Sequence, residues 1–118
     1  MNKRTIGKEK ERLAAAYLMR AGLCILEMNF SCRLGEIDLI CKDGKYLVFV
    51  EVKYRKSSKT GYPQESVSKN KRRKICLVSG YYKMIKGYGD NVPVRYDVVS
   101  ILGNRIHWDK DAFYYDGL

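Results

Sequence analysis

Between Gly35 and Arg55 the chain reads GEIDLICKDGKYLVFVEVKYR, two runs rich in β-branched and aromatic residues parted by KDGK. An Asp-Gly pair between two such runs is among the strongest local signals for a β-hairpin. The spacing predicts a turn at Asp43 and Gly44 with Lys42 opposite Lys45. In that register Ile40 faces Leu47, Asp38 faces Phe49 and Glu36 faces Glu51. Side chains alternate along a strand, so Glu36, Asp38, Leu47, Phe49, Glu51 and Lys53 share one face, with Asp38 diagonal to Glu51. The other face carries Ile37, Leu39, Val48, Val50 and Val52. Being wholly apolar, it must be core.

Helices and further strands are expected around this hairpin. From Gly7 to Ala21 the residues Leu13, Ala14, Tyr17, Leu18 and Ala21 recur at helical spacing, and Gly22 follows as a stop. Leu23 to Phe30 has strand character. After an exposed loop, SSKTGY, a second helix is expected from about Gln64 to Ile85 through Val67, Ile75, Leu77, Val78, Tyr81 and Ile85. Pro63, Ser66 and Ser68 are its candidate starts or caps. Val92 to Leu102 returns to β character, Gly103 and Asn104 turn the chain, and RIHWD closes it before a weakly patterned tail. The order α, three β, α, two β predicts an α/β fold, a mixed sheet flanked by helices. At 118 residues and 46% hydrophobic content the chain suits one domain, spanning 1–118.

Twenty-three Lys and Arg against thirteen Asp and Glu leave a formal charge of +10, which repels itself until a polyanion meets it. Nucleic acid is the expected partner, ahead of an anionic membrane surface. The run KNKRRK, with Lys69, Lys71, Arg72, Arg73 and Lys74, opens the second helix, and Lys56 and Lys59 precede it. Such groups grip phosphates without reading bases, whereas a merely solvated helix face is the plainer account. Tyr54, Tyr62, Tyr81 and Tyr82 could stack on unpaired bases, although burial is the preferred reading for Tyr81 and Tyr82. No run of about 20 apolar residues is present, so no membrane span is expected, and the charged N-terminus points to the cytoplasm. Cys24, Cys32, Cys41 and Cys76 form no CxxC pair and read as reduced thiols in partly buried positions rather than zinc ligands. His107, beside Trp108, is distant in sequence from the acidic cluster and reads as structural.

Acidic residues and a lysine gathered on one face of an apolar hairpin are costly unless a cation sits among them. Mg²⁺ or Mn²⁺ would resolve that conflict, taking Asp38 and Glu51 as ligands together with waters and phosphate oxygens. Lys53, on the same face, would orient a water or neutralise charge developing at phosphorus. The bland alternative is a solvated polar face in which Lys53 pairs with Glu51 or Glu36. On helix evidence alone Glu11 reads as a surface carboxylate beside Lys8 or Arg12.

The arrangement of a helix glutamate, GEIDLI and VEVK resembles the PD-(D/E)XK nuclease superfamily. The wording GEIDLIC, FVEVKYR and RYDVV, with ERLAAAYLMRAG and QESVSKNKRRKI, resembles the bacterial YraN-type family of uncharacterised proteins over nearly the whole chain. That family is similar in fold to archaeal Holliday-junction resolvases. The resemblance implies a restriction-endonuclease-like fold, Asp38 and Glu51 as metal ligands, Lys53 as the catalytic lysine and Glu11 as a further acidic ligand near the metal. Glu36 is a family feature of less defined role. Family members usually carry glycine where this chain has Lys10, a change expected to perturb the start of the helix.

The expected activity is hydrolysis of phosphodiesters in branched or structured DNA by a Mg²⁺- or Mn²⁺-dependent endonuclease. The alternatives are a catalytically silent nucleic-acid-binding scaffold for repair or recombination, and a protein whose basic face meets an acidic partner. A homodimer is compatible with each.

Overall fold

The computed structural model describes residues 3–56 and 67–114. Its elements are α1 (Lys3–Arg20), β1 (Cys24–Cys32), β2 (Gly35–Asp43), β3 (Tyr46–Arg55), α2 (Lys69–Ile85), β4 (Val94–Leu102) and β5 (Arg105–Phe113). The strands form one sheet in the order β1-β2-β3-β4-β5, antiparallel except for the parallel pair β3 and β4. This is the expected mixed α/β sheet flanked by helices, consistent with restriction-endonuclease-like architecture. The SSKTGY loop with Lys59 and Tyr62, and the helix starts at Pro63, Gln64 and Ser66, lie outside the described residues. Ser68 caps α2, its Oγ accepting the Lys71 backbone N–H at 3.1 Å.

Helix α1 ends where Gly22, at φ 101°, lets the chain reverse: Leu23 N–H donates to Leu18 C=O and Gly22 N–H to Met19 C=O. Its buried face is Ala14, Ala15 and Leu18, while Leu13 and Ala21, expected in the core, are exposed. The helix runs unbroken through Lys10, whose ammonium lies 4.5 Å from the centre of the Tyr54 ring, so the departure from glycine does not disturb it.

Both faces of the sheet are core, which corrects the one-sided hairpin expected from alternation. Helix α1 covers Leu39, Cys41, Val48, Val50, Val99 and Ile101, and α2 covers Ile37, Ile40, Leu47, Phe49, Tyr96 and Val98. Strands β3 and β4 are parallel and central, and such strands are covered on both sides. Leu47 and Phe49 therefore belong to the interior and not to a polar face.

The hairpin register also differs by one step at the turn. Asp43 pairs with Tyr46, leaving Gly44 and Lys45 as the turn residues, so Ile40 faces Phe49 and Leu39 faces Val50. Gly44 takes the first turn position at φ 59°, a conformation that suits glycine and frees Asp43 to remain in the strand. There Asp43 meets Arg95 at 2.9 Å.

Two left-handed residues shape the edges. Asn29 in β1, at φ 56°, lies between the pairs Met28–Leu39 and Phe30–Ile37, which sets it across from Asp38. Across this kink Ile37 and Leu39, two apart in β2, reach opposite layers of the core. Asp111 in β5, also at φ 56°, sits in the bulge where β5 is irregular against Tyr96 and Val98. Its N–H donates at 2.9 Å to buried Asp97, which also accepts from Arg95 Nε and a terminal Arg95 nitrogen and from Trp108 Nε1. With its lone pairs filled, that carboxylate carries β5 on to Phe113, beyond the expected end at Asp109.

Candidate active site

The ladder between β2 and β3 ends at Leu39–Val50, while the pairing of β3 with β4 continues to Arg55–Leu102. Beyond Val50, β3 therefore loses its β2 partner, and the Asp38 side chain takes over: Oδ2 accepts the Val52 N–H at 2.8 Å. The kink at Asn29 and the early end of the ladder turn Asp38 into the gap between the strands.

Three carboxylates meet along this gap. Asp38 is the middle one, with Glu11 of α1 and Glu51 of β3 each within hydrogen-bonding reach of it. Burial, then repulsion from Asp38, pushes Glu11 up to about 7. Burial, then Asp38, does the same to Glu51, again to about 7, against the opposing pull of Lys71 and Lys53. Thus Glu11 is no free surface carboxylate. Its Oε1 is buried without a hydrogen-bond partner, and beside it a cleft of about 430 Å³ is lined by Gly7, Lys8, Asn29, Ser31 and Glu36.

Glu51 is 6% exposed and holds two ammonium groups on one oxygen, Lys53 at 3.8 Å and Lys71 at 3.6 Å. The Lys53–Glu51 pairing weighed as the bland alternative is thus present. Glu36 is exposed, opposite Ser31, and stands apart from Glu51, contrary to the expected register. Of the basic residues, Lys71 alone is directed at the carboxylates from α2. Lys69, Arg72, Arg73 and Lys74 are exposed on that helix, and Lys56 is exposed after β3. Tyr82 is buried as expected and Tyr81 is not. All four cysteines are free thiols, with Cys24 exposed rather than partly buried.

Sequence reasoning missed Asn29, which hydrogen-bonds Glu11 and opposes its rise. An Asn inside a strand run is the available signal, since Asn tolerates the left-handed region better than most residues. The Lys71–Glu51 pair was hidden inside a charge run and depends on how α2 docks.

The donor set suits a hard divalent ion: carboxylate oxygens, one of them buried and unpartnered, crowded enough to resist ionising together. Among the described residues no three His, Cys, Asp or Glu are gathered as a ready-made metal cage. Asp38 stands within reach of both glutamates and links the three carboxylates in a row. Mg²⁺ needs only one or two of them, completing its shell with water and phosphate. Among the described residues, no helix is long and apolar enough to cross a membrane.

Residues 10–101 match the family described as "Uncharacterised protein family UPF0102". The chain is similar to a UPF0102 protein of Lachnoclostridium phytofermentans, 43% identical over 113 residues covering 96% of each chain. It is similar to one of Clostridioides difficile at 44% identity over 115 residues, 96% of this chain and 100% of the relative. A third, of Syntrophus aciditrophicus, is 48% identical over 111 residues, 91% of this chain and 87% of the relative.

Proposed function

This chain belongs to the uncharacterised protein family UPF0102, and from that premise we propose that it is a Mg²⁺- or Mn²⁺-dependent endonuclease acting on branched or structured DNA. The observation that carries the reading is the row Glu11–Asp38–Glu51, with Lys53 and Lys71 on its last member. A scaffold that only bound a polyanion would gain nothing from buried carboxylates beside it.

Asp38 and Glu51, with Glu11, would hold the divalent ion, which supplies positive charge against the scissile phosphate when bound. The remaining chemistry belongs to the chain. Water attacks phosphorus and gives up a proton to solvent, a new P–O bond forms as the bond to one ester oxygen breaks, and that oxygen leaves as a hydroxyl after taking up a proton. Lys53 is held beside the reacting centre by Glu51, positioned to donate a hydrogen bond to the attacking oxygen or to the charge growing on phosphorus. Lys71 opposes the rise that burial and Asp38 impose on Glu51 and so favours its charged form. The exposed cations of α2 grip the backbone on either side without reading bases.

The test is cleavage of a panel of four-way, flapped, nicked and linear duplexes with Mg²⁺ or Mn²⁺. The wild type should cut at least one branched form. Asp38→Asn, Glu51→Gln and Lys53→Ala should stay folded and lose at least about a hundredfold in rate. Equal cutting by these variants sinks the site assignment. A wild type that binds the panel and cuts none of it leaves the silent scaffold.

A further inference from the structure

Leu77, Tyr81 and Ile85 belong by sequence pattern to the buried line of α2, yet the helix turns them outward. Its buried face is Ile75, Cys76, Val78, Ser79 and Tyr82. Leu77 is 40% exposed, Tyr81 37%, Met84 68% and Ile85 47%. At 3.6 residues per turn these four occupy roughly a 100° arc whose Ile85 edge adjoins buried Val78 and whose other edge turns away from the core. A helix that buries one face has no use for a second apolar one. The stripe also continues off the helix. Leu34, 44% exposed, stands in the turn between β1 and β2, and Tyr81 closes with Cys32, Arg33 and Leu34 around a cavity of about 180 Å³. That turn runs close to α2, where a Cβ built on Gly35 would stand 3.4 Å from Val78, at ordinary contact distance.

Size and charge decide what covers this patch. Five large side chains fall well short of the roughly 20–30 residues a side of a standard protein interface, so the occupant is a short segment. A second copy would bring a like charge of +10 against the first. Arg33 lines the cavity, and exposed Arg73 and Lys74 lie four and three residues before Leu77, at the head of the stripe. We propose that this surface is a docking site for a short acidic amphipathic segment of a partner protein. Its apolar side chains lie along Leu77, Tyr81, Met84 and Ile85, one large side chain enters the cavity beside Leu34, and its carboxylates meet Arg33, Arg73 and Lys74. Such a segment is a helix laid in a groove, with anchors at i, i+4 and i+7. None of its residues belongs to the carboxylate row, so the apolar stripe stands whether or not that row cuts DNA. Arg73 and Lys74 are also among the α2 cations assigned above to the DNA backbone, so segment and DNA would compete for them.

The probe is a synthetic helix of about 16 residues, Leu at the anchor spacing and Glu elsewhere, titrated calorimetrically into the full chain. A scrambled peptide of the same composition and an analogue with Lys for Glu serve as controls. The acidic helix should bind saturably and more weakly as salt rises. Leu77→Glu and Met84→Glu should each weaken it by about tenfold or more while leaving the thermal midpoint unchanged, both residues being exposed. The proposal fails if the acidic helix does not bind, if both variants bind it as the wild type does, or if either control binds equally well. Sedimentation showing a wild-type dimer that Leu77→Glu dissociates would assign the surface to a second copy instead, and overturn it.

Discussion

The carboxylate of Asp38 accepts the backbone N–H of Val52 at 2.8 Å, filling the place in the sheet where a main-chain carbonyl of β2 would have stood. One residue thus both completes the ladder and crowds charge against Glu11 and Glu51.

Those two roles separate in a pair of variants. Asp38→Asn and Asp38→Ala remove the same charge, but only Asn keeps an oxygen for Val52. In urea denaturation at pH 8 Asp38→Asn should be at least as stable as the wild type, and Asp38→Ala about 1 kcal/mol or more less stable than Asp38→Asn. Equal stability of the two variants would mean that the Val52 bond contributes nothing.

Acid titration gives a second test. Glu51 is raised from 4.5 to about 7 on folding, so the native state holds its proton more tightly than the unfolded chain. The stability associated with that proton is fully present below about 4.5 and is lost as pH rises to about 7. Glu51→Gln carries no such proton. Its stability relative to wild type should rise between these limits and level off above them, read as the difference in urea midpoints. A flat difference would show that Glu51 titrates normally.

Divalent ions should act in the opposite sense on the same groups. Mn²⁺ should raise the wild-type melting temperature, with a gain of about 2.7 kcal/mol when free ion exceeds its dissociation constant a hundredfold. Asp38→Asn should lose this response. Indifference of the wild type to millimolar Mn²⁺, both alone and with a noncleavable branched duplex, would remove the metal from the proposed chemistry.

Binding to DNA should depend on the exposed cations additively. Replacing Arg72, Arg73 and Lys74 with alanine should flatten the plot of log affinity against log salt by about 0.9 for each phosphate that is no longer neutralised, alike for unrelated sequences. An unchanged slope would return the run to the solvent.

What could be read in the sequence follows the range of the forces involved. The hairpin is legible because Gly44 acts locally, and Glu51 and Lys53 are legible as neighbours because alternation within β3 sets them on one face. Asp38, in contrast, comes to Glu51 through the break in alternation between Ile37 and Leu39, which the residue pattern does not show. The reach of β5 to Phe113 is not legible, since the polar stretch Asp109, Lys110 and Asp111 is kept in the strand by the pairing of Asp109 with Val98 and by the bond from Asp111 to Asp97, fourteen residues before it. Apolar spacing placed Leu77 and Tyr81 on a helix but could not say which side of it meets the sheet. Glu11 looked like a surface residue because only the packing of α1 brings it to Asp38.

The left-handed residues Asn29 and Asp111 fall one on each outer strand, β1 and β5. An edge offers unpaired N–H and C=O groups to any extended chain, and a break in its regular pleat spoils the match. Each rim of this sheet is thus interrupted partway along, leaving short stretches that a neighbouring strand could extend only for a few residues. Concentrated protein should resist fibril growth by strand addition for this reason, and substituting a β-branched residue at Asn29 would straighten one rim and open it to templated assembly.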